Sequence, residues 1–140
     1  MTFKLSSILE QDSILVTKLE LCQLRLMNNS DFPWVILVPE LINIVEITDL
    51  KPSEFNKLNS EILQVAKVIK SVFTPDKLNI ATLGNVVPQM HIHIVARFKN
   101  DKLFPKPVWG HEFKRYSLEE SKEIIHSIKI AINNINMNHD

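Results

Sequence analysis

Glycine is almost missing from this chain of 140 residues: Gly84 and Gly110 are the only two. Backbone conformations that favour glycine are therefore confined to a few places, and those places carry information. Cysteine is scarcer still. A single Cys22 excludes an intramolecular disulfide and fits a reducing compartment. A cationic surplus is also lacking. Lys plus Arg number 16 and Asp plus Glu number 16, whereas nucleic-acid binders carry a basic excess, so no nucleic-acid partner is expected. Zero net charge still allows a small anionic ligand, because a site can be locally positive. No apolar stretch approaches the ~20 residues that cross a bilayer. Met1 to Ser6 shows no basic stretch leading into an apolar run, so no secretory signal is read there. The expectation is a cytoplasmic protein without membrane association.

What is present suits one globular domain over residues 1–140. Hydrophobic residues make up 45% and charged residues 23%, enough for a single packed core. No internal repeat or low-complexity tract interrupts the chain. Ile14, Val16, Leu19, Leu21, Leu24 and Leu26 roughly alternate with polar residues, the period of half-buried strands. The turn-forming Asn28-Asn29-Ser30-Asp31 follows. Trp34 to Val38 is an apolar run closed by Pro39, which predicts a central strand.

Phe55, Leu58, Ile62, Val65, Ala66, Ile69 and Val72 then recur at helical spacing. Thr48 or Asp49 is the expected cap, Pro52 suits the first turn, and Thr74-Pro75-Asp76 ends the helix. Two further strands are predicted near 78–83 and 90–98, joined through Gly84-Asn85. A proline-rich loop runs from Pro105 to Gly110. Ser117 and Glu120 have capping-box spacing at the head of a last helix, with Ile124, Ile128, Ala131 and Ile135 on one face. The order β-β-β-α-β-β-α predicts an α+β domain with a mostly antiparallel sheet.

Chemistry concentrates in Pro88 to Arg97. On a strand, residues two apart share a face. Gln89, His91, His93, Val95 and Arg97 would then share one face, and Met90, Ile92, Ile94 and Ala96 the other, which is wholly apolar and expected to face the core. An amide and two imidazoles would stand in a row at roughly 6.5–7 Å intervals. Imidazole can attack phosphorus, move protons near neutral pH or bind a metal. A metal site needs three or four ligands. His111, His126, His139 and Cys22 are the other candidates, none at a recognisable ligand spacing. The Gly84-Asn85 turn could offer backbone N–H groups to an anion, or could be a plain hairpin turn. Arg97 either reaches a phosphate or is solvated. Trp109 suits a pocket wall. Trp34 reads as the start of a core strand, and Cys22 as a packed thiol.

The run Gln89-Met90-His91-Ile92-His93-Ile94-Val95 resembles the histidine triad signature His-φ-His-φ-His-φ-φ, φ being apolar, with glutamine replacing the first histidine. The approach Leu83 to Pro88 is similar to that family's phosphate-binding loop, and the strand closed by Pro39 with its following helix is similar to the family's front half. The resemblance covers roughly residues 10–100. Pro107-Val108-Trp109-Gly110 looks like the tail of bacterial members with the same glutamine variant.

The resemblance implies an antiparallel sheet of about five strands with two main helices, and a nucleotide substrate. By position His91 would be the nucleophile that forms a nucleotidyl-imidazole intermediate. His93 would hydrogen-bond phosphate or leaving group, and Gln89 would stand in for the first histidine. Gly84 and Asn85 fall on the phosphate loop, while Asn79 and Asn28 lie near phosphate- and ribose-contacting positions. Trp34 takes the place of a histidine that orients the nucleophile in many members, so a backbone carbonyl or another side chain must orient His91. The implied substrates are a dinucleoside polyphosphate, a nucleoside phosphoramidate or an adenylylated compound. No cofactor is expected beyond a divalent cation accompanying the substrate, and a homodimer is implied. A nucleotide-binding module with little turnover and a metal-dependent enzyme are the alternatives.

Overall fold

The computed structural model describes residues 1–137. The elements are α1 (Ser7–Asp12), β1 (Ser13–Lys18), β2 (Cys22–Met27), β3 (Trp34–Pro39), a 3-10 turn (Ile47–Asp49), α2 (Pro52–Phe73), β4 (Lys77–Ala81), β5 (Ile92–Arg97) and α3 (Leu118–Met137). The five strands form one sheet in the order β1-β2-β3-β5-β4, every neighbouring pair antiparallel. The predicted α+β class, the antiparallel sheet and the chain order β-β-β-α-β-β-α of the main elements hold. The short α1 is additional, and its six residues leave no helical period to read in the sequence.

The alternation read along residues 14–26 breaks at Val16. Leu15 pairs with Arg25 and Thr17 with Leu24, leaving Val16 as an extra residue in β1. The bulge puts Val16 into the core and Leu15 toward solvent. The central strands are buried on both faces. Leu24, Leu26, Val35, Leu37, Met90, Ile92, Ile94 and Ala96 meet α2 and α3 through Leu58, Val65, Ile69, Ile128 and Ile132. Each large aliphatic side chain buried this way contributes about 1.5–3 kcal/mol. The face predicted to be core is core.

The helix ends follow local chemistry. Residue Lys51, rather than Thr48 or Asp49, precedes α2, and its N–H donates to Glu54 at 2.8 Å. Asp49 closes the 3-10 turn instead, accepting from the N–H groups of Val45 and Glu46. At α3 the predicted capping box forms, Ser117 N–H to Glu120 and Glu120 N–H to the Ser117 hydroxyl. Among the described residues no helix is long and apolar enough to cross a membrane.

One buried carboxylate ties helix to sheet. Glu61 of α2 accepts from the N–H groups of Leu21 and Cys22, both at 2.9 Å. It satisfies two backbone donors at the β1–β2 turn. Cys22 itself is fully buried, and burial, with the Glu61 carboxylate beside it, lifts the thiol well above its ordinary range. Removing the carboxylate leaves both donors unpaired in the core. Glu61→Ala is expected to cost about 2–4 kcal/mol, read by urea unfolding; a loss under half a kcal/mol would contradict this role.

Candidate active site

The antiparallel register builds the site. Trp34 of β3 stands opposite Val95 of β5, and Ile36 opposite His93. Residues directly across an antiparallel pair share a face, and their diagonal neighbours remain within reach of aromatic rings. Trp34 and His93 are such diagonal neighbours, with ring centroids 5.4 Å apart. His91 precedes β5 and its ring lies 4.8 Å from that of His93. Both imidazoles are buried, at 6% and 5% exposure.

The hydrogen bonds assign the two rings opposite tautomers. An indole N–H can only donate. Trp34 Nε1–H donates to His93 Nδ1 at 2.9 Å, so Nδ1 holds the lone pair and the His93 proton sits on Nε2. A carbonyl oxygen can only accept. His91 Nδ1 lies 2.7 Å from the main-chain oxygen of Gln89, so Nδ1 carries the hydrogen and neutral His91 presents a free lone pair at Nε2. Burial, reinforced by the neighbouring His91, holds His93 neutral by pushing its pKa down to about 3. One ring offers a nucleophilic nitrogen and its neighbour offers an N–H donor. A backbone carbonyl performs the orienting duty that Trp34 cannot.

Both rings open into a cleft of about 390 Å³. Its walls come from α1 (Ile8, Leu9, Asp12), from the 83–87 loop, and from Met27, Trp34, Trp109 and Gly110. Trp109 meets His93 edge-on at 5.2 Å and Trp34 at 5.8 Å. Asp12 is the sole charged side chain among the described lining residues. The two glycines of the chain both line this cleft, with φ of 72° at Gly84 and 82° at Gly110. At Gly110 nothing lies within 4 Å of where a Cβ would be, so conformation rather than space calls for glycine there.

Of the nine residues expected at the site, Gly84, Asn85, His91, His93 and Trp109 line the cleft. The other four are occupied elsewhere. Arg97 is buried at 1% exposure. It bonds Asp101 twice, at 2.9 and 3.1 Å, and Asn79 at 2.9 Å, and its guanidinium lies 5.5 Å from the Phe32 ring and 5.6 Å from that of Phe104. This corrects the expectation of a phosphate contact for Arg97 and Asn79. Asn28 accepts from Tyr116 N–H and donates its own N–H to the Asp12 carbonyl, which ties down chain around the cleft rather than facing it. The Gln89 amide holds the N-terminal segment, bonding Ser6 N–H and the Lys4 carbonyl. Residues 89–91 precede the ladder of β5, so the strict alternation drawn through them does not extend to Gln89.

Sequence reasoning missed α1 as a wall. It also missed that the histidine face is a second apolar core, where Leu9, Phe32, Ile36, Val38, Val87, Val95 and Val108 pack with Trp34. Ile36, Val38 and Val95 at period two were the available signal. Among the described residues no three His, Cys, Asp or Glu side chains come together as a metal-holding group. His111 and His126 are exposed, Cys22 is buried in the opposite core, and His139 lies outside the described residues.

The Arg97–Asp101 pair serves the site indirectly. Asp101 also accepts from the N–H groups of Phe98, Leu103 and Phe104, pinning the loop that leads to Trp109. Burial alone would raise the Asp101 carboxyl, but Arg97 and these N–H groups outweigh it and hold it at about 2.

A model of the HIT domain matches residues 9–100. The chain therefore belongs to the HIT domain family, the histidine triad proteins. A histidine triad protein of Bradyrhizobium japonicum superposes with a TM-score of 0.92 at 36% identity, covering 94% of this chain and 99% of that one. One of Sinorhizobium meliloti gives 0.91 at 39% identity, covering 93% and 97%. One of Marinobacter aquaeolei gives 0.92 at 32% identity, covering 96% and 98%. A curated relative from Schizosaccharomyces pombe, named bis(5'-nucleosyl)-tetraphosphatase [asymmetrical], is 33% identical over 72 residues. That match spans 48% of this chain and 39% of the relative's length.

Two outcomes are expected. Long-range proton–nitrogen spectra of the imidazoles should place the His91 proton on Nδ1 and the His93 proton on Nε2, with His93 neutral down to about pH 3; a His93 titration near the ordinary value of about 6.5 contradicts the assignment. Asp101 has a depressed folded pKa, so its stabilisation is complete above the unfolded carboxyl value near ~4 and is lost as pH falls through about 2. Asp101→Asn should lower stability at neutral pH and flatten the acid loss in that window, measured by urea melts; an unaltered acid limb contradicts it.

Proposed function

We propose that this HIT protein is a nucleotide hydrolase or transferase that works through a nucleotidyl intermediate on His91. The observation that carries the reading is the pair of opposed tautomers in one cleft: a lone pair at His91 Nε2 beside an N–H at His93 Nε2. Phosphate esters repel anionic nucleophiles, and a neutral imidazole avoids that repulsion. In the first step His91 Nε2 forms a bond to the α-phosphorus. The bond from phosphorus to the leaving group breaks and its electron pair departs with that group. A phosphate leaves as an anion, whereas an amine takes a proton from solvent. His91 becomes cationic, and its Nδ1–H bond to the Gln89 carbonyl strengthens as charge develops. Water then attacks phosphorus, the N–P bond breaks, its electrons return to His91, and the surplus proton goes to solvent. A different acceptor in place of water gives transfer. Two easier displacements replace one difficult one.

His93 Nε2–H and the backbone of the 84–87 loop are the donors for the phosphoryl oxygens in this reading. The apolar walls and Trp109 take the nucleoside. The resemblance to the yeast tetraphosphatase supports a dinucleoside polyphosphate, and a nucleoside phosphoramidate suits the same chemistry. A divalent cation enters only as the substrate's counter-ion. The protein works in the cytoplasm as a homodimer; exposed Ile80 on the edge strand β4 and exposed Leu63 on α2 support pairing. A nucleotide-binding role with little turnover is the second reading, favoured by an amide at Gln89 that neither titrates nor lines the cleft.

His91→Ala is expected to lower turnover by at least about three orders of magnitude on a panel of diadenosine tetraphosphate and adenosine phosphoramidate. A nucleotide label should be trapped on the wild-type histidine. Unchanged activity of the variant across the panel overturns the reading. AMP binding by calorimetry with no turnover of either substrate favours the second.

A further inference from the structure

Residue Gln89 works in two directions at once. Its main-chain oxygen holds His91 Nδ1 at 2.7 Å. Its side-chain amide reaches the other way. Oε1 accepts from Ser6 N–H at 2.8 Å and Nε2 donates to the Lys4 carbonyl at 2.9 Å. An amide is the side chain that can do this, because it carries an acceptor and a donor side by side. A neutral imidazole has them on different edges of its ring, and a carboxylate has no donor. The amide thus mimics one rung of a β-ladder, fixing the chain where it enters α1.

The far end of α1 is fixed as well. The Ser13 hydroxyl bonds the Leu9 carbonyl, and the Asp12 carbonyl accepts from Asn28 N–H. Between these anchors Ile8, Leu9 and Asp12 form one wall of the cleft that holds both histidines. Leu9 is seated in the apolar cluster with Trp34 and Val87, and Phe3 and Leu5 pack against it. Ile8, at 46% exposure, stands at the open edge.

We infer that Gln89 is a positioning residue that clamps the N-terminal segment 4–12 into place as a substrate-contacting wall, tying that wall to the residue that orients the nucleophile. Glutamine at the head of the motif is then a gain of a new element, and the wall selects what lies against it. The kinetic consequence rests on the reading of the cleft as a nucleotide site; the clamp itself does not.

The test is a double-mutant cycle on the full chain. Gln89→Ala removes both amide bonds and keeps the main-chain oxygen that holds His91. Ser6→Pro removes the N–H that Gln89 accepts, and Ser6 has φ of −53°, which proline adopts without strain. Hydrogen exchange by mass spectrometry is the activity-independent readout. Gln89→Ala should speed exchange across residues 7–12 several-fold and leave β5 unchanged. Ser6→Pro should do the same to a smaller degree, and the double variant should match Gln89→Ala alone. With diadenosine tetraphosphate as probe, Gln89→Ala should raise KM about five- to tenfold with kcat within about twofold. Gln89→Glu, which keeps the Ser6 bond and loses the Lys4 bond, should fall between. Unchanged exchange over 7–12 in both Gln89 variants overturns the clamp, as do effects of the two single substitutions that simply multiply. A wild-type protein that neither binds AMP nor turns over the probe removes the nucleotide reading while the exchange cycle still decides the clamp. A collapse of kcat with KM unchanged assigns Gln89 to the reacting atoms instead.

Discussion

The bond from the Trp34 indole to His93 is where sheet geometry becomes chemistry. Strand register brings the two rings together, and the indole can play only one part, that of donor. That settles where His93 carries its proton, and burial keeps the ring from acquiring a second. His91 is settled the opposite way by a main-chain oxygen. Among the described residues neither ring is oriented by a carboxylate, so no negative charge stands directly behind His91 Nδ1. A neutral His93 suits a cleft whose described lining has one charged side chain.

The face that carries the histidines is also a packed face. Phe32, Ile36, Val38 and Val95 make it a second core, and α1 with the chain around Val108 covers it. This explains the fate of Arg97. A guanidinium on that face of β5 has no route to water and must find partners nearby. It takes Asp101 and Asn79, and Asp101 in turn gathers three backbone N–H groups of the following loop. A residue that looks available on a strand drawing is consumed in pinning the start of the loop that leads to Trp109.

How much of this the chain itself displayed depended on period. The aliphatic face Met90-Ile92-Ile94-Ala96, the helix through Leu58, Val65 and Ile69, and the Ser117–Glu120 cap follow from local rules and were legible. His91 and His93 were legible because two imidazoles at strand spacing on one face are unusual. What escaped was set by tertiary geometry. A six-residue helix has no period, and the bulge at Val16 depends on its partner strand. The destination of an amide such as Gln89 depends on a segment more than eighty positions away. Asn28 and Asn79 show the same limit: an asparagine near a site is drawn equally well by an unpaired backbone or by a buried arginine.

The two glycines make a different point. Both bend the chain through positive φ where it lines the cleft, one before the histidines in sequence and one after. The path of the rim is therefore written in backbone conformation, and the residues between and beside the bends, such as Asn85, Val86 and Trp109, hang from a fixed frame. Such a rim can exchange its side chains one at a time without redrawing its outline. A substitution at Asn85 or Val86 then changes what lines the cleft while the two glycine bends and the histidine pair stay as they are.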